Sequence, residues 1–186
     1  VLFRSTNEEL EEQSRALAES QARLEAQQVV YPDRAAVDRA VARLRELSGG
    51  KPVGFKLAIG HPWEWFGIAK AMHESASLAP DLLPDFIVVD GAEGGTGAAP
   101  AEFIDHIGVP MHEALLLVHN TLVGLGLRDR VRVAAAGKIT SAFDIARTLA
   151  LGADWCNAAR GYMFALGCIQ SLSCHTDKCP TGIATQ

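Results

Sequence analysis

The chain has 186 residues, with 17 Lys and Arg against 22 Asp and Glu, a formal net charge of −5 and 48% hydrophobic residues. This fits one globular domain with an appendage, or part of a larger domain, and argues against nucleic acid as the main partner, because phosphate binding needs a basic face. No run approaches the roughly 18 apolar residues of a membrane span and no signal-peptide pattern opens the chain, so a cytoplasmic protein is expected.

Residues 1–30 read differently from residues 31–186. Val1 to Ser5 looks like translated adapter sequence and is set aside. From Thr6 to about Gln28 there is no Gly or Pro. Thr6 and Glu9 form a capping-box pattern, and Leu10, Leu17 and Leu24 recur every seventh residue, the narrow stripe of a coiled coil. A solvated helix that pairs with nothing would read the same way. The composition breaks at Val29 to Pro32.

Beyond Pro32, strands and helices alternate. Ala35 to Leu47 carries Val37, Val41, Leu44 and Leu47 near helical spacing, and Gly49-Gly50 stops it. Pro52–Ile59, Asp85–Asp90, Val131–Ala136 and Asp154–Asn157 read as buried strands. Trp63–Ser75, a segment from about Pro110 to Leu127, Ser141–Leu151 and Ala158–Leu166 read as helices. Nearly continuous apolar strands between amphipathic helices predict an α/β fold with a parallel sheet. Four such units are half of a (β/α)8 barrel, which typically needs about 250 residues. An open doubly wound sheet is the rival. The unusual residues all follow strands, where a barrel gathers its site, so a partial barrel lacking its front half is expected, preceded by a coiled-coil extension.

Three features could carry chemistry. After the second strand, Asp90-Gly91-Ala92-Glu93-Gly94-Gly95-Thr96-Gly97 lets the backbone curl close to a ligand, with Glu93 and Asp90 as hydrogen-bond acceptors. The loop fits neither a Walker pattern nor G-x-G-x-x-G, and a plain tight turn would read the same. Lys56 lies inside an apolar strand and needs a partner, either a ligand anion or an electron-rich ring. Gly137-Lys138 and Ala159-Arg160 follow the third and fourth strands, where amides and basic side chains could bind phosphate. His61, Trp63 and Trp65 line a pocket or simply pack. His73, His106, His112, His119 and Cys156 read as structural.

Near the end, Cys168, Cys174 and Cys179 are spaced C-x5-C-x4-C and Pro180 follows the last. Thiolate is the soft ligand that iron–sulfur clusters select, and a Cys-Pro ending recurs in cluster-binding runs. Buried structural thiols are the bland alternative. Zinc with His175 stays open, although adjacent Cys174 and His175 would strain to reach one tetrahedral ion.

Taken together, the stretches GGTGAAP at 94–100, LGADWCNAARGYMFALGC at 151–168 and CHTDKCPTGIATQ at 174–186 resemble the FMN-binding synthase domain of the glutamate synthase family. The likeness runs from about residue 36 to the end and is closer to the shorter FMN-binding glutamate synthase-like proteins that lack a glutaminase domain. Residues 6–28 resemble a sensor histidine kinase linker. The family resemblance implies a (β/α)8 barrel with FMN at the strand C-termini and a [3Fe–4S] cluster on Cys168, Cys174 and Cys179. It implies that Lys56, Gly94, Gly95, Thr96 and Gly97 line the flavin site, that Lys56 and Glu93 serve catalysis, and that Gly137, Lys138, Ala159 and Arg160 hold the FMN phosphate. The implied reaction is reductive amination of 2-oxoglutarate to L-glutamate, with electrons from a donor protein or an NAD(P)H-linked subunit. The family's complete enzymes carry Ser-Gly-His-Asp where this chain has Asp90-Gly91-Ala92-Glu93, which shifts the expected 2-oxoacid or amino-acid substrate. They also carry Gly-Gly and Gly-Thr where this chain has Gly137-Lys138 and Ala159-Arg160. A coiled-coil interaction module, or a barrel for a phosphorylated metabolite with structural zinc, are the alternatives.

Overall fold

The structure is a computed structural model, and it describes residues 34–92, 102 and 106–185. The coiled-coil expectation at 6–28 lies outside them. Among the described residues five helices and four strands alternate: α1 (Arg34–Leu47), β1 (Gly54–Ala58), α2 (Pro62–Leu78), β2 (Phe86–Asp90), α3 (Met111–Gly124), β3 (Arg132–Ala136), α4 (Ala142–Ala150), β4 (Trp155–Asn157) and α5 (Ala159–Ala165). Short 3-10 turns lie at Pro80–Leu82 and Cys174–Thr176. No helix among the described residues is long and apolar enough to cross a membrane.

The strands form one parallel sheet in chain order, β1-β2-β3-β4. Parallel strands need crossovers, and crossovers of one hand that never reverse direction lay every helix on the same face. A doubly wound sheet must reverse its order at a switch point, and this sheet does not. The arrangement is consistent with part of a β/α barrel.

The two faces differ as this topology requires. On one, Ile87, Val89, Val133 and Ala135 pack against Trp65, Ala69 and Met72 of α2 and Leu115, Val118 and Leu122 of α3. Fully burying each large apolar side chain there contributes about 1.5–3 kcal/mol. On the other, Val88, Ala134 and Ala136 cluster with Phe86 and with no helical residue.

Element ends follow local chemistry. β1 is shorter than Pro52–Ile59 because Pro52 has no amide and the Val53 N–H donates to the Asp85 carboxylate at 2.7 Å. At its other end the Ile59 carbonyl accepts from Val109 N–H at 2.8 Å, outside the ladder. α2 runs past Ser75 to Leu78 and stops where Ala79, held extended ahead of Pro80, cannot continue it. α3 ends earlier than Leu127 because Gly126 turns left-handed (φ 66°) and the Leu127 N–H folds back to the Leu122 carbonyl at 2.8 Å. Ser141 caps α4 in a capping box with Asp144, as its sequence predicts. In α1 only Val41 of the expected stripe is fully buried; Leu44 and Leu47 are 51% and 65% exposed.

Gly91 fixes the exit of β2. Its N–H donates to the Ala136 carbonyl at 2.9 Å, and a Cβ there would stand 2.6 Å from the Met111 Cβ and 2.7 Å from its backbone N. Helix α3 would have to move, so Gly91→Ala is expected to destabilise the chain by about 1–3 kcal/mol. Gly124 faces open space, and Gly124→Ala should leave stability unchanged or raise it. Urea-unfolding midpoints of the two variants provide the check.

Candidate active site at the strand C-termini

In register, Lys56 pairs with Val88, while Ala58, Asp90, Ala136 and Asn157 stand side by side at the strand ends. Because side chains alternate across a sheet, all of these stand on the face that the helices leave open. The Lys56 Nζ lies 2.6 Å from Asp90 Oδ2, with the two side chains 57% and 27% exposed. The other carboxylate oxygen, Oδ1, accepts from the Ala92 N–H at 2.9 Å. An ion pair this open contributes under about 1 kcal/mol to stability. Its consequence is positional: a cation is held at the sheet's C-terminal edge, beside the small side chains of Ala58 and Ala136. The sequence predicted that Lys56 needs a partner and pointed to a ligand anion or an electron-rich ring; the structure pairs it with Asp90, the first residue of the stretch that opens the glycine-rich loop.

Past Asp90 the description ends at Ala92. Glu93, Gly94, Gly95, Thr96 and Gly97 lie outside the described residues. The two expected phosphate loops are described. After β3, Gly137 (φ 144°) and Lys138 (φ 46°) both adopt positive φ and turn the chain sharply. A Cβ on Gly161 would stand 3.3 Å from the Ile139 carbonyl oxygen, so the first turn of α5, which carries Ala159 and Arg160, lies against the segment following Lys138. The structure therefore makes neighbours of two loops that are more than twenty residues apart in sequence.

The aromatic patch after β1 divides. Trp65 is buried in the helix layer at 1% exposure, whereas His61 and Trp63 stack on the surface with centroids 4.3 Å apart. Glu64 reaches back to the His61 N–H at 3.2 Å and secures the start of α2. Cys156 packs against the helix-side core, and burial pushes its thiol up despite a hydrogen bond with Thr148. Its structural reading is sound. His119 is structural too, accepting from Arg128 Nε at 3.1 Å. His112 was missed as a feature of interest: its Nε2 is buried without a hydrogen-bond partner, next to Met111, which packs on Gly91 and Gly137. Nothing in its sequence context signalled that.

Cys168, Cys174 and Cys179 are free thiols on the chain that follows α5. Left-handed backbone at Gln170, Leu172 and Asp177 curls the segment. Among the described residues no group of three or more His, Cys, Asp or Glu is gathered to hold a metal ion, so neither the three cysteines nor a set with His175 forms a finished site. The donor chemistry nonetheless suits a cluster. Cys179 Sγ lies 3.4 Å from Thr181 Oγ1, and this hydroxyl, with the amides of Ala184, Thr181 and Ile183, holds its thiol down to about 7. A hydrogen-bonded thiolate is the ligating form. With metal absent, Cys179 is therefore expected to alkylate with iodoacetamide near pH 7 well before Cys156. Residue-resolved mass spectrometry over a time course checks this order, and its rate should rise steeply as pH crosses 7 and then level off.

Comparison with known proteins now bears on this geometry. The family described as a conserved region in glutamate synthase matches residues 28–186. Glutamate synthase large subunit-like protein YerD of Bacillus subtilis is 46% identical over 145 residues, covering 78% of this chain and 26% of that protein. Archaeal-type glutamate synthase (NADPH) of Thermotoga maritima is 37% identical over 139 residues, covering 73% of this chain and 25% of that protein. The large chain of glutamate synthase (NADPH) of Bacillus subtilis is 42% identical over 102 residues, which is 55% of this chain and 7% of that protein. The chain thus spans about a quarter of the length of the first two relatives and less of the third. With the parallel sheet in chain order and the family match running from residue 28 to residue 186, the chain belongs to the glutamate synthase family.

Proposed function

We propose that this chain is part of an FMN- and iron–sulfur-dependent oxidoreductase of glutamate synthase type, acting in the reductive amination of 2-oxoglutarate to L-glutamate. The observation that carries the reading is the family match over a segment that holds both the Lys56–Asp90 pair and the three-cysteine run. When bound, FMN supplies the two-electron chemistry and a [3Fe–4S] cluster the single electrons that recharge it.

The chain's own residues would bind and orient. Lys56, held in place by Asp90, is suited to an anionic carboxylate or to the electron-rich edge of a flavin. The alanines at 58 and 136 add little volume beside it, which fits a flat ring lying across the strand ends. Gly137, Lys138, Ala159 and Arg160 lie on adjoining loops and would hold the cofactor phosphate, with both basic side chains adding charge that the complete synthases do not carry there. Glu93 would accept a proton or hydrogen bond from an amine, and Gly94, Gly95, Thr96 and Gly97 would present amides and a hydroxyl to the flavin. Cys168, Cys174 and Cys179 would ligate the cluster, with the amides around Cys179 lowering the cost of its negative charge. Asp90-Gly91-Ala92-Glu93 stands where the complete synthases carry Ser-Gly-His-Asp, and this stretch would tune which 2-oxoacid or amino acid the site takes. Electrons would come from a donor protein or an NAD(P)H-linked subunit.

An anaerobic absorbance spectrum of the purified chain, with flavin and iron assayed on the same sample, tests the reading. Flavin bands with stoichiometric iron are expected. Stoichiometric zinc without flavin would overturn it in favour of a structural metal.

A further inference from the structure

A cavity of about 200 Å³ lies at the end of the sheet opposite to the Lys56–Asp90 pair, lined by Arg45, Asp81, Leu83, Pro84, Asp85 and Arg130. Asp85 immediately precedes β2 and Asp90 closes it, so the two ends of that strand stand about 17 Å apart at roughly 3.3 Å per residue. The cavity is therefore separate from the site at the strand C-termini.

One wall of it is fixed before any ligand arrives. The Arg45 guanidinium donates to the Asp81 carbonyl, to the Leu83 carbonyl at 3.1 Å and to Asp85 Oδ2 at 2.7 Å. The same Oδ2 accepts the Val53 N–H at 2.7 Å. The Asp85 N–H donates to the Val53 carbonyl at 2.7 Å, and the Asp85 carbonyl accepts from the Arg132 N–H at 2.9 Å. Leu83 and Pro84 are buried. Arg45 and Asp85 thus offset each other's charge and hold that wall in one geometry, which spares a ligand the cost of ordering it. The other two charged residues are unspent. Among the described residues, neither the Arg130 guanidinium nor the Asp81 carboxylate takes part in an ion pair or a side-chain hydrogen bond, although both residues line one small cavity.

That pattern selects the ligand's charge. A bare anion would meet the carboxylates of Asp81 and Asp85, and a bare cation would meet the guanidiniums of Arg45 and Arg130. A molecule carrying both charges at its two ends meets neither penalty. A guanidinium fork matches a carboxylate in two parallel hydrogen bonds, and a carboxylate accepts from an ammonium group. The volume is below the ~300–1,000 Å³ of sites for drug-sized ligands, so only a small solute fits. We propose that this cavity binds a free α-amino acid with a small polar side chain, its carboxylate on Arg130 and its ammonium group on Asp81, against the preformed Arg45–Asp85 wall. Asp81 and Arg130 are exposed, so binding is weak, in the millimolar range. The ligand lies too far from Lys56 to touch the groups there, and it acts as an effector rather than as a substrate.

Titration of the full chain with L-serine, followed through backbone amide NMR shifts, tests the proposal. Saturable shifts are expected at residues 81–85 and at Arg130. Arg130→Ala and, separately, Asp81→Ala are expected to weaken binding roughly tenfold, the loss of one charged hydrogen-bonded contact. Both side chains are exposed, so far-ultraviolet circular dichroism should be unchanged in either variant. Lys56→Ala is expected to bind L-serine as the wild type does. Acetate and methylammonium, each with one of the two charges, should give no saturable shifts at the same concentrations. No saturable shift with L-serine at tens of millimolar overturns the proposal, as does wild-type affinity in either cavity variant. Acetate binding as well as L-serine would reduce the cavity to a plain anion site, and loss of binding in Lys56→Ala would move the ligand to the strand C-termini; either result sinks the assignment. Flavin measured on the same sample reports on the other site alone, so this proposal and the flavin reading can fail independently.

Discussion

Arg128→Ala is expected to destabilise the chain by about 3 kcal/mol, roughly what breaking a well-bonded buried ion pair costs. Arg128 and Asp154 are only 16% and 22% exposed and meet at 2.8 Å. The same guanidinium donates to the carbonyls of Gly152 at 2.9 Å and Val131 at 3.2 Å, and to His119 Nδ1 at 3.1 Å. It therefore ties the end of α3 to the entries of both β3 and β4. Asp154 in turn accepts the Val133 N–H at 2.7 Å. Removing the arginine leaves a carboxylate and two carbonyls short of donors. A urea midpoint that moves by less than a third of the expected amount would show that water replaces Arg128 without loss.

The same network sets the acid limb of stability. Burial pushes the Asp154 carboxyl up, but the Val133 amide and the Arg128 guanidinium outweigh it and hold the group below its ordinary value of 3.8. Asp85 is built alike: burial opposes, while the Val53 amide and Arg45, at 2.7 Å each, prevail. A carboxyl lowered on folding stabilises in full above its unfolded pKa and loses that contribution as pH falls through the folded one. Stability should therefore be level near neutrality and fall below about pH 4. Asp154→Asn should be less stable near neutrality and should flatten that fall.

The second large effect concerns the cysteine loop. Cys174→Ser is expected to lower iron content at least roughly tenfold, a loss no smaller than that from removing a second-shell partner. Cys174 is an exposed free thiol, so serine replaces it at little cost to packing. Cys156→Ser provides the contrast, because Cys156 faces the helix-side core and should leave iron untouched. Iron and acid-labile sulfide measured on both variants, with flavin measured in parallel, decide the matter. Iron retained in Cys174→Ser would remove that residue from the ligand set.

Much of this was legible in one dimension. The strands Phe86–Asp90 and Arg132–Ala136 are short apolar runs between turn signals, and Ser141 with Asp144 writes a helix start into four residues, so local chemistry alone sets them. The cysteine spacing and the need of Lys56 for a partner were equally local. What the sequence could not supply was which groups meet across the sheet. Asp90 becomes the partner of Lys56 only because β1 and β2 run parallel in one register, and a shift of one residue would turn the two side chains to opposite faces. Likewise Gly137-Lys138 and Ala159-Arg160 become neighbours only when α4 returns the chain across the sheet, and α1's apolar stripe is left half uncovered by the place of its strand at the sheet edge. The sequence by itself determined the elements, their order and the chemistry each could offer. The tertiary structure alone decided which face of the sheet stays open and which charges share it, because pairing register and strand order are set by burial of the whole helix-side core rather than by any short stretch of chain.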